Sequence, residues 1–344
     1  MNYQEAMEYL EGLNRYGCVP GLESIRELCA RLHDPQEKLR FVHIAGTNGK
    51  GSILAYVSTI LQTAGYKVGR YISPALSDYR ERFQINGKMI PKNQFSLYLE
   101  QVKAAAEQMA AEGLPHPTQF EVDTAFAFLY FLDKKCDIVV LETGMGGLTD
   151  ATNLIGTTIC AVLTPVGMDH MAALGGSLEE IARQKAGIIK ENCTVVTCGQ
   201  KEEAMRVIRQ EAEQRGCPLR IAEISGITNV KYGLTKQRFT YGRHKNLEIT
   251  LAGQHQTANA ALAVEVSEAL LAAGFSIPDE ALRRGLLETK WPGRFSVMGK
   301  NPLFVLDGAH NEDGAAALAQ SVKFYFSHKK IIYIMGILAD KEYD

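Results

Sequence analysis

The segment HIAGTNGKGS, residues 43 to 52, sets a lysine and a hydroxyl in a glycine-rich turn between a strand-like apolar run and a helical one. Backbone N–H groups and the positive end of a helix at such a turn favour phosphate. Lys50 would neutralise the β and γ phosphates of a nucleotide, and the Ser52 hydroxyl could reach Mg²⁺. Gly46, Gly49 and Gly51 admit a close approach that a Cβ would block. The pattern departs from the common phosphate loop, because Ile44 replaces its first glycine and Gly51 separates Lys50 from Ser52. A turn glycine kept for geometry alone stays the competing reading.

Other polar groups fall at comparable places. Glu142 closes the apolar run CDIVVL before TGMGG, at the carboxyl end of a buried strand, where open α/β sheets bind ligands. A carboxylate there suits Mg²⁺, which takes oxygen donors and bridges phosphates; a turn cap is the alternative. Asp169 and His170 end the next strand, AVLTPVGMDH, where the imidazole is either a ligand or a structural hydrogen-bonder. In SLEEIARQKAGIIKEN, Ser177 and Glu180 form a capping box, and Lys185 falls near the helix end. Chemistry alone favours a solvated lysine there, answering the helix dipole. VLDGAHNEDG, residues 305 to 314, places Asp307, His310 and Asn311 in a turn before a helix. With Arg294 they could grip a nucleotide across an interface, unless Arg294 makes only a surface salt bridge. No Asn-Lys-x-Asp run is present to read guanine, whereas a small-molecule kinase is not set aside by local pattern.

The elements that must hold these groups alternate. LRFVHIAG, YKVGRYIS, CDIVVLETG, TTICAVLTPVG and CTVVTCG read as buried strands, and SILAYVSTILQTAG and residues 119 to 135 as helices. Such runs imply an α/β fold, a P-loop-type, mainly parallel sheet flanked by helices. Residues 219 to 253 read as a small antiparallel appendage. WPGRF, residues 291 to 295, marks a domain boundary, giving units 1–293 and 294–344. The second has one strand, a helix and the strand IIYIMGI, and is expected to be an incomplete Rossmann-like α/β domain.

Thirty-seven Lys and Arg against 39 Asp and Glu give a net charge of -2, which argues against nucleic acid as a partner. Seven cysteines without a Cys-x-x-Cys pair suggest reduced, buried thiols. The acidic, helix-like N-terminus is no secretory signal, and no apolar run approaches the ~18 residues that span a membrane. A cytoplasmic enzyme without a membrane partner is expected.

Taken in order, GTNGKGS, SDYRERFQING, PTQFEVDTAFAF, LETGMGG with DATN, MDH, LEEIARQKAGIIK, GQHQTANA, WPGRF and LDGAHN resemble the folylpolyglutamate synthase and dihydrofolate synthase family of the Mur ligases. The resemblance implies an ATP-binding domain over 1–293 and the start of a glutamate-ligase domain over 294–344. It implies that Gly49, Lys50, Gly51 and Ser52 bind ATP phosphates, and that Asn259, Arg294, Asp307 and His310 contact ATP. Ser52, Ser73, Glu142 and His170 would hold Mg²⁺, with Lys50, His170 and a CO₂-carbamylated Lys185 serving catalysis. Thr118, Gln119, Phe120, Glu121, Thr149, Asp150 and Ala151 would meet the pterin. The implied substrates are ATP, L-glutamate and a folate or dihydropteroate, handled by a monomer; a monovalent cation is left open.

Departures from the family pattern bear on pterin choice: Ala75 stands where a histidine is frequent, and Leu148-Thr149 where Arg-Leu is usual. Family members also run beyond Asp344, into the part that contributes to the glutamate site. A noncatalytic nucleotide- or folate-binding relative and another Mur-type amino-acid ligase are the competing readings.

Overall fold

The computed structural model describes residues 1–17, 19–169 and 171–336. Eight strands form the main sheet: β1 (Phe41–Ala45), β2 (Val68–Tyr71), β3 (Phe83–Ile85), β4 (Lys88–Met89), β5 (Ile138–Glu142), β6 (Thr158–Leu163), β7 (Thr194–Cys198) and β8 (Leu219–Ala222). Their order is β4-β3-β2-β5-β1-β6-β7-β8. The six from β2 to β8 in that order run parallel, and β3 and β4 add an antiparallel edge.

Burial on both faces explains the unbroken apolar strands. Val42, Ile44, Val140 and Val162 pack with Ile53, Val57, Ala260 and Val264 from helices Lys50–Thr63 and His255–Ala272. Phe41, Val139 and Leu141 face the opposite way, onto Val122, Phe126 and Phe128 of helix Gln119–Asp133. Ala45, Ala161 and Leu163 cover Ile181 and Ala182 of helix Leu178–Ala186. Successive strand residues thus alternate between helical layers, as strand geometry requires.

Two sequence expectations change. The strand opening the expected appendage, β8, pairs with β7 in the main sheet. Only β9 (Thr228–Lys231), β10 (Gln237–Tyr241) and β11 (His244–Ile249) form the separate antiparallel sheet. In the C-terminal segment, β12 (Ser296–Lys300) and β13 (Leu303–Leu306) make an antiparallel hairpin before helix Glu312–Phe326. Residues 331–336 of the expected following strand are not a strand: no backbone among the described residues pairs with them, and Ile332 and Ile334 are 84% and 88% exposed. No helix among the described residues is long and apolar enough to cross a membrane.

The parallel register sets the site. Ile44 lies beside Glu142 on one side and Val162 on the other, and Tyr71 lies beside Leu141. The segments leaving β1, β2, β5 and β6 therefore emerge at one edge of the sheet.

Candidate active site

Beyond β1 the chain turns through Gly46, at φ 149°, and Gly49, at φ 88°, conformations that glycine adopts without a Cβ penalty. A Cβ on Gly46 would lie 1.9 Å from Thr164 Oγ1. Gly49 caps helix Lys50–Thr63 with no side-chain hydrogen bond, so the first N–H groups of that helix are left to an anion. Gly51 has another neighbour: the space its Cβ would fill is taken by the Trp291 indole.

Two lysines converge on this turn. Lys50 Nζ donates to the Gly46 and Thr47 carbonyls at 3.1 and 3.4 Å, and Lys185 Nζ donates to the Gly46 carbonyl at 3.1 Å. The capping box of Ser177 and Glu180 forms as expected. The solvated reading of Lys185 is overturned, however, since its side chain is only 3% exposed. Lys185 lies four residues from Ile181, hence on the helix face that packs onto the sheet. Burial, then the Lys50 charge, lower its pKa to about 7, against an opposing pull from Asp169 and Asp150.

Glu142 ends β5 with 7% exposure. Burial raises its pKa to about 7, opposed by Lys50, Arg294 and the Ser73 backbone N–H. Ser73 Oγ accepts from Arg82 Nη1 at 3.4 Å, and Ser52 Oγ accepts from Gln256 Nε2 at 3.2 Å. His170 lies outside the described residues. Among those described, no cluster of three or more His, Cys, Asp or Glu side chains could hold a metal.

Asn259 donates to Gln256 Oε1 at 3.1 Å, and its Oδ1 lies 3.0 Å from where a Gly49 Cβ would be. Gln256, fully buried, thus ties Ser52 to Asn259. Sequence reasoning passed over it, although a buried amide one helical turn before Asn259 is the spacing at which two side chains meet. Arg294 donates to the Gly308 carbonyl at 3.4 Å instead of forming the surface salt bridge considered above. Asp307 accepts from the Phe295 and Ala309 N–H groups at 2.7 and 2.8 Å, so its carboxylate holds its own turn together. His310 is exposed and bonds the Gly308 carbonyl. Asn311 and Asn48 exchange amide hydrogen bonds, each 3.2 Å, joining the C-terminal segment to the phosphate loop.

The expected pterin residues divide by what binds them. Thr118 and Glu121 cap their own helix in a closed box, Thr149 is exposed and accepts from Gly21 N–H at 3.4 Å, and Ala151 is buried. Phe120 and Asp150 converge over Gly144, where an added Cβ would be 2.7 Å from the ring and 3.2 Å from the carboxylate. Asp150 also accepts from Met145 N–H and from the Thr152 N–H and hydroxyl. Gln119 reaches Tyr79 OH at 2.9 Å. Tyr79 and Arg82 both bond the buried Asp123, at 2.6 and 3.1 Å, a network that sequence reasoning missed. Burial raises the Asp123 pKa to about 6 against the pull of Arg82. Pro74, Ala75, Leu76, Ser77, Asp78, Tyr79 and Arg82 line an adjoining 230 Å³ cavity.

Residues 44–267 match the Mur ligase middle domain, and residues 293–344 the Mur ligase glutamate ligase domain. Fold and site therefore define a Mur ligase, an ATP-dependent ligase. The Bacillus subtilis dihydrofolate synthase/folylpolyglutamate synthase is 39% identical over 348 residues, covering 99% of this chain and 81% of that protein. A solved folylpolyglutamate synthase-AMPPCP-folate complex is 34% identical with TM-score 0.91, over 95% of this chain and 82% of that one. The Mycobacterium tuberculosis folylpolyglutamate synthase, complexed with ADP and AMPPCP, is 32% identical with TM-score 0.87, over 94% and 75%. The chain belongs to the folylpolyglutamate synthase and dihydrofolate synthase family of Mur ligases.

Proposed function

We propose that this enzyme joins L-glutamate through an amide bond to folate, and to dihydropteroate, using ATP. The observation that carries the reading is the convergence of Lys50 and Lys185 on the Gly46 carbonyl at the sheet edge where Glu142 is buried. An unactivated carboxylate is a poor acylating agent. The acceptor's carboxylate oxygen therefore attacks the γ-phosphorus of ATP, the bond to ADP breaks, and an acyl phosphate forms. The glutamate amine then attacks the acyl carbon, phosphate leaves, and the amine gives up a proton.

The protein positions and stabilises charge. Lys50 and the open N–H groups after Gly49 receive the phosphates, with Gly51, Ser52, Asn259, Arg294, Asp307 and His310 completing the ATP contacts. Ser52, Ser73 and Glu142 offer the hard oxygen donors that Mg²⁺ takes, and the uphill burial of Glu142 fits a cation beside it; His170 belongs to the same proposed set. That ion, when bound, neutralises charge on the transferring phosphoryl group.

Lys185 is the carbamate candidate because its amine is held near neutrality at physiological pH. The ammonium first gives up one proton; the neutral nitrogen then attacks CO₂, one C=O electron pair moves to oxygen and a second proton leaves, so that a cation becomes an anion. Phe120 and Asp150 form the pterin wall, with Thr118, Gln119, Glu121, Thr149 and Ala151 around it. The same reading places a cytoplasmic monomer's domain division between 293 and 294. The test is a coupled assay for ADP with dihydropteroate and with tetrahydrofolate; absence of glutamate-dependent ADP release from the full-length protein would sink the proposal.

A further inference from the structure

Gly51 occupies the second position of helix Lys50–Thr63, where its backbone is helical and an alanine would serve the helix better. What excludes a side chain is Trp291. An added Cβ would lie 2.7, 2.8 and 2.9 Å from its Cζ2, Nε1 and Cε2 atoms. The guanidinium of Arg70 lies 5.9 Å from the centre of the indole. Arg70 is itself buried and fixed to the same helix by two hydrogen bonds to Ser58 Oγ, at 2.9 and 2.6 Å. The indole therefore docks on the phosphate-loop helix through two separate points. Three residues later in the chain, Arg294 bonds the Gly308 carbonyl and bears electrostatically on Glu142.

We infer that Trp291 is a positioning residue: its indole, seated in the notch that Gly51 leaves, holds the connecting segment so that Arg294 reaches the phosphate site. Gly51 then meets the phosphates through its backbone alone, and what its lack of a side chain serves is the seat. The inference rests on the ligase reading for its kinetic readout only.

Trp291 is the chain's single tryptophan, so intrinsic emission reports this seat alone. Gly51→Ala should shift the emission to the red, as the indole is pushed into solvent, and weaken ADP binding about tenfold by calorimetry, within the range of contacting pairs. It should raise KM for ATP and leave KM for L-glutamate unchanged, a split that a loss of folded protein does not produce. In a Trp291→Leu background the same Gly51→Ala change should cost less than about twofold. Trp291→Phe carries that comparison if the leucine variant fails to fold. Equal losses in both backgrounds, or unchanged emission in Gly51→Ala, overturn the inference. Wild-type protein that binds ADP but forms no amide would overturn the ligase reading instead, leaving emission and calorimetry to decide the seat.

Discussion

Lys50 and Lys185, 135 positions apart in the chain, donate to one acceptor, the carbonyl oxygen of Gly46, each at 3.1 Å. Two ammonium groups on a single oxygen repel each other. Lys185 is the buried one of the two, and burial together with the Lys50 charge lowers its pKa to about 7. Removing its charge, or inverting it by carbamate formation, relieves the repulsion. Alanine cannot form the carbamate, so Lys185→Ala should slow amide formation about 10²- to 10³-fold, the cost of losing a preorganised charge. A small carboxylate should restore part of the rate in steady-state ADP release; full activity in the variant refutes the carbamate. Because the amine must be neutral to take up CO₂, removing CO₂ should depress wild-type activity, and added bicarbonate should restore it more slowly below about pH 7 than above it.

Glu142 gives a prediction with a definite sign. Its folded pKa, about 7, exceeds the ordinary 4.5, so the folded state holds this proton more tightly. The stability it contributes is full below pH 4.5 and is lost as the pH rises through about 7. In a chelator, wild-type protein should lose on the order of 1–3 kcal/mol more than Glu142→Gln across that window, measured by urea unfolding. Added Mg²⁺ should narrow the difference in wild type and leave the variant unmoved. A wild type and variant with the same pH slope would contradict the burial argument.

The strands were legible because burial on both faces leaves unbroken apolar runs, and the phosphate turn because Gly46 and Gly49 need positive φ. Local pattern did not reveal the burial of Lys185, since a lysine near a helix end reads as solvated until the packed face is known. Nor did it reveal Tyr79 and Arg82 meeting Asp123, which are separated by 44 and 41 residues and come together only through β3 and helix Gln119–Asp133. The hairpin of β12 and β13 was not legible because its first strand, SVMGK, has little apolar character. The resemblance to a known family supplied roles that spacing alone left open.

Asp123 should be far more costly to remove than its distance from the phosphate loop suggests. Its buried carboxylate accepts from Arg82 and Tyr79, so Asp123→Ala leaves a largely buried guanidinium uncompensated. A loss of about 3–5 kcal/mol is expected in urea unfolding. Replacing both partners, Arg82→Met with Asp123→Leu, should recover much of that stability. It should not recover acceptor binding, because Arg82 also lines the 230 Å³ cavity beside Ser73. Equal recovery of stability and folate affinity would make the pair purely structural.

The reciprocal amide pair of Asn48 and Asn311 separates two jobs that one side chain performs. Asn311 Oδ1 caps helix Glu312–Phe326 by accepting from Gly314 N–H at 2.9 Å, while its amide group pairs with the phosphate loop. Asn311→Ser keeps an acceptor for the cap and is too short to complete the pair. The cap alone is worth about 1 kcal/mol, so Asn311→Ala should lower stability by that amount and Asn311→Ser should not. Both variants should raise KM for ATP by a similar factor, about three- to tenfold for loss of one to two neutral hydrogen bonds. Should the serine variant match wild type in KM while the alanine variant does not, the contact between the C-terminal segment and the phosphate loop would have no part in nucleotide binding, and capping alone would account for Asn311.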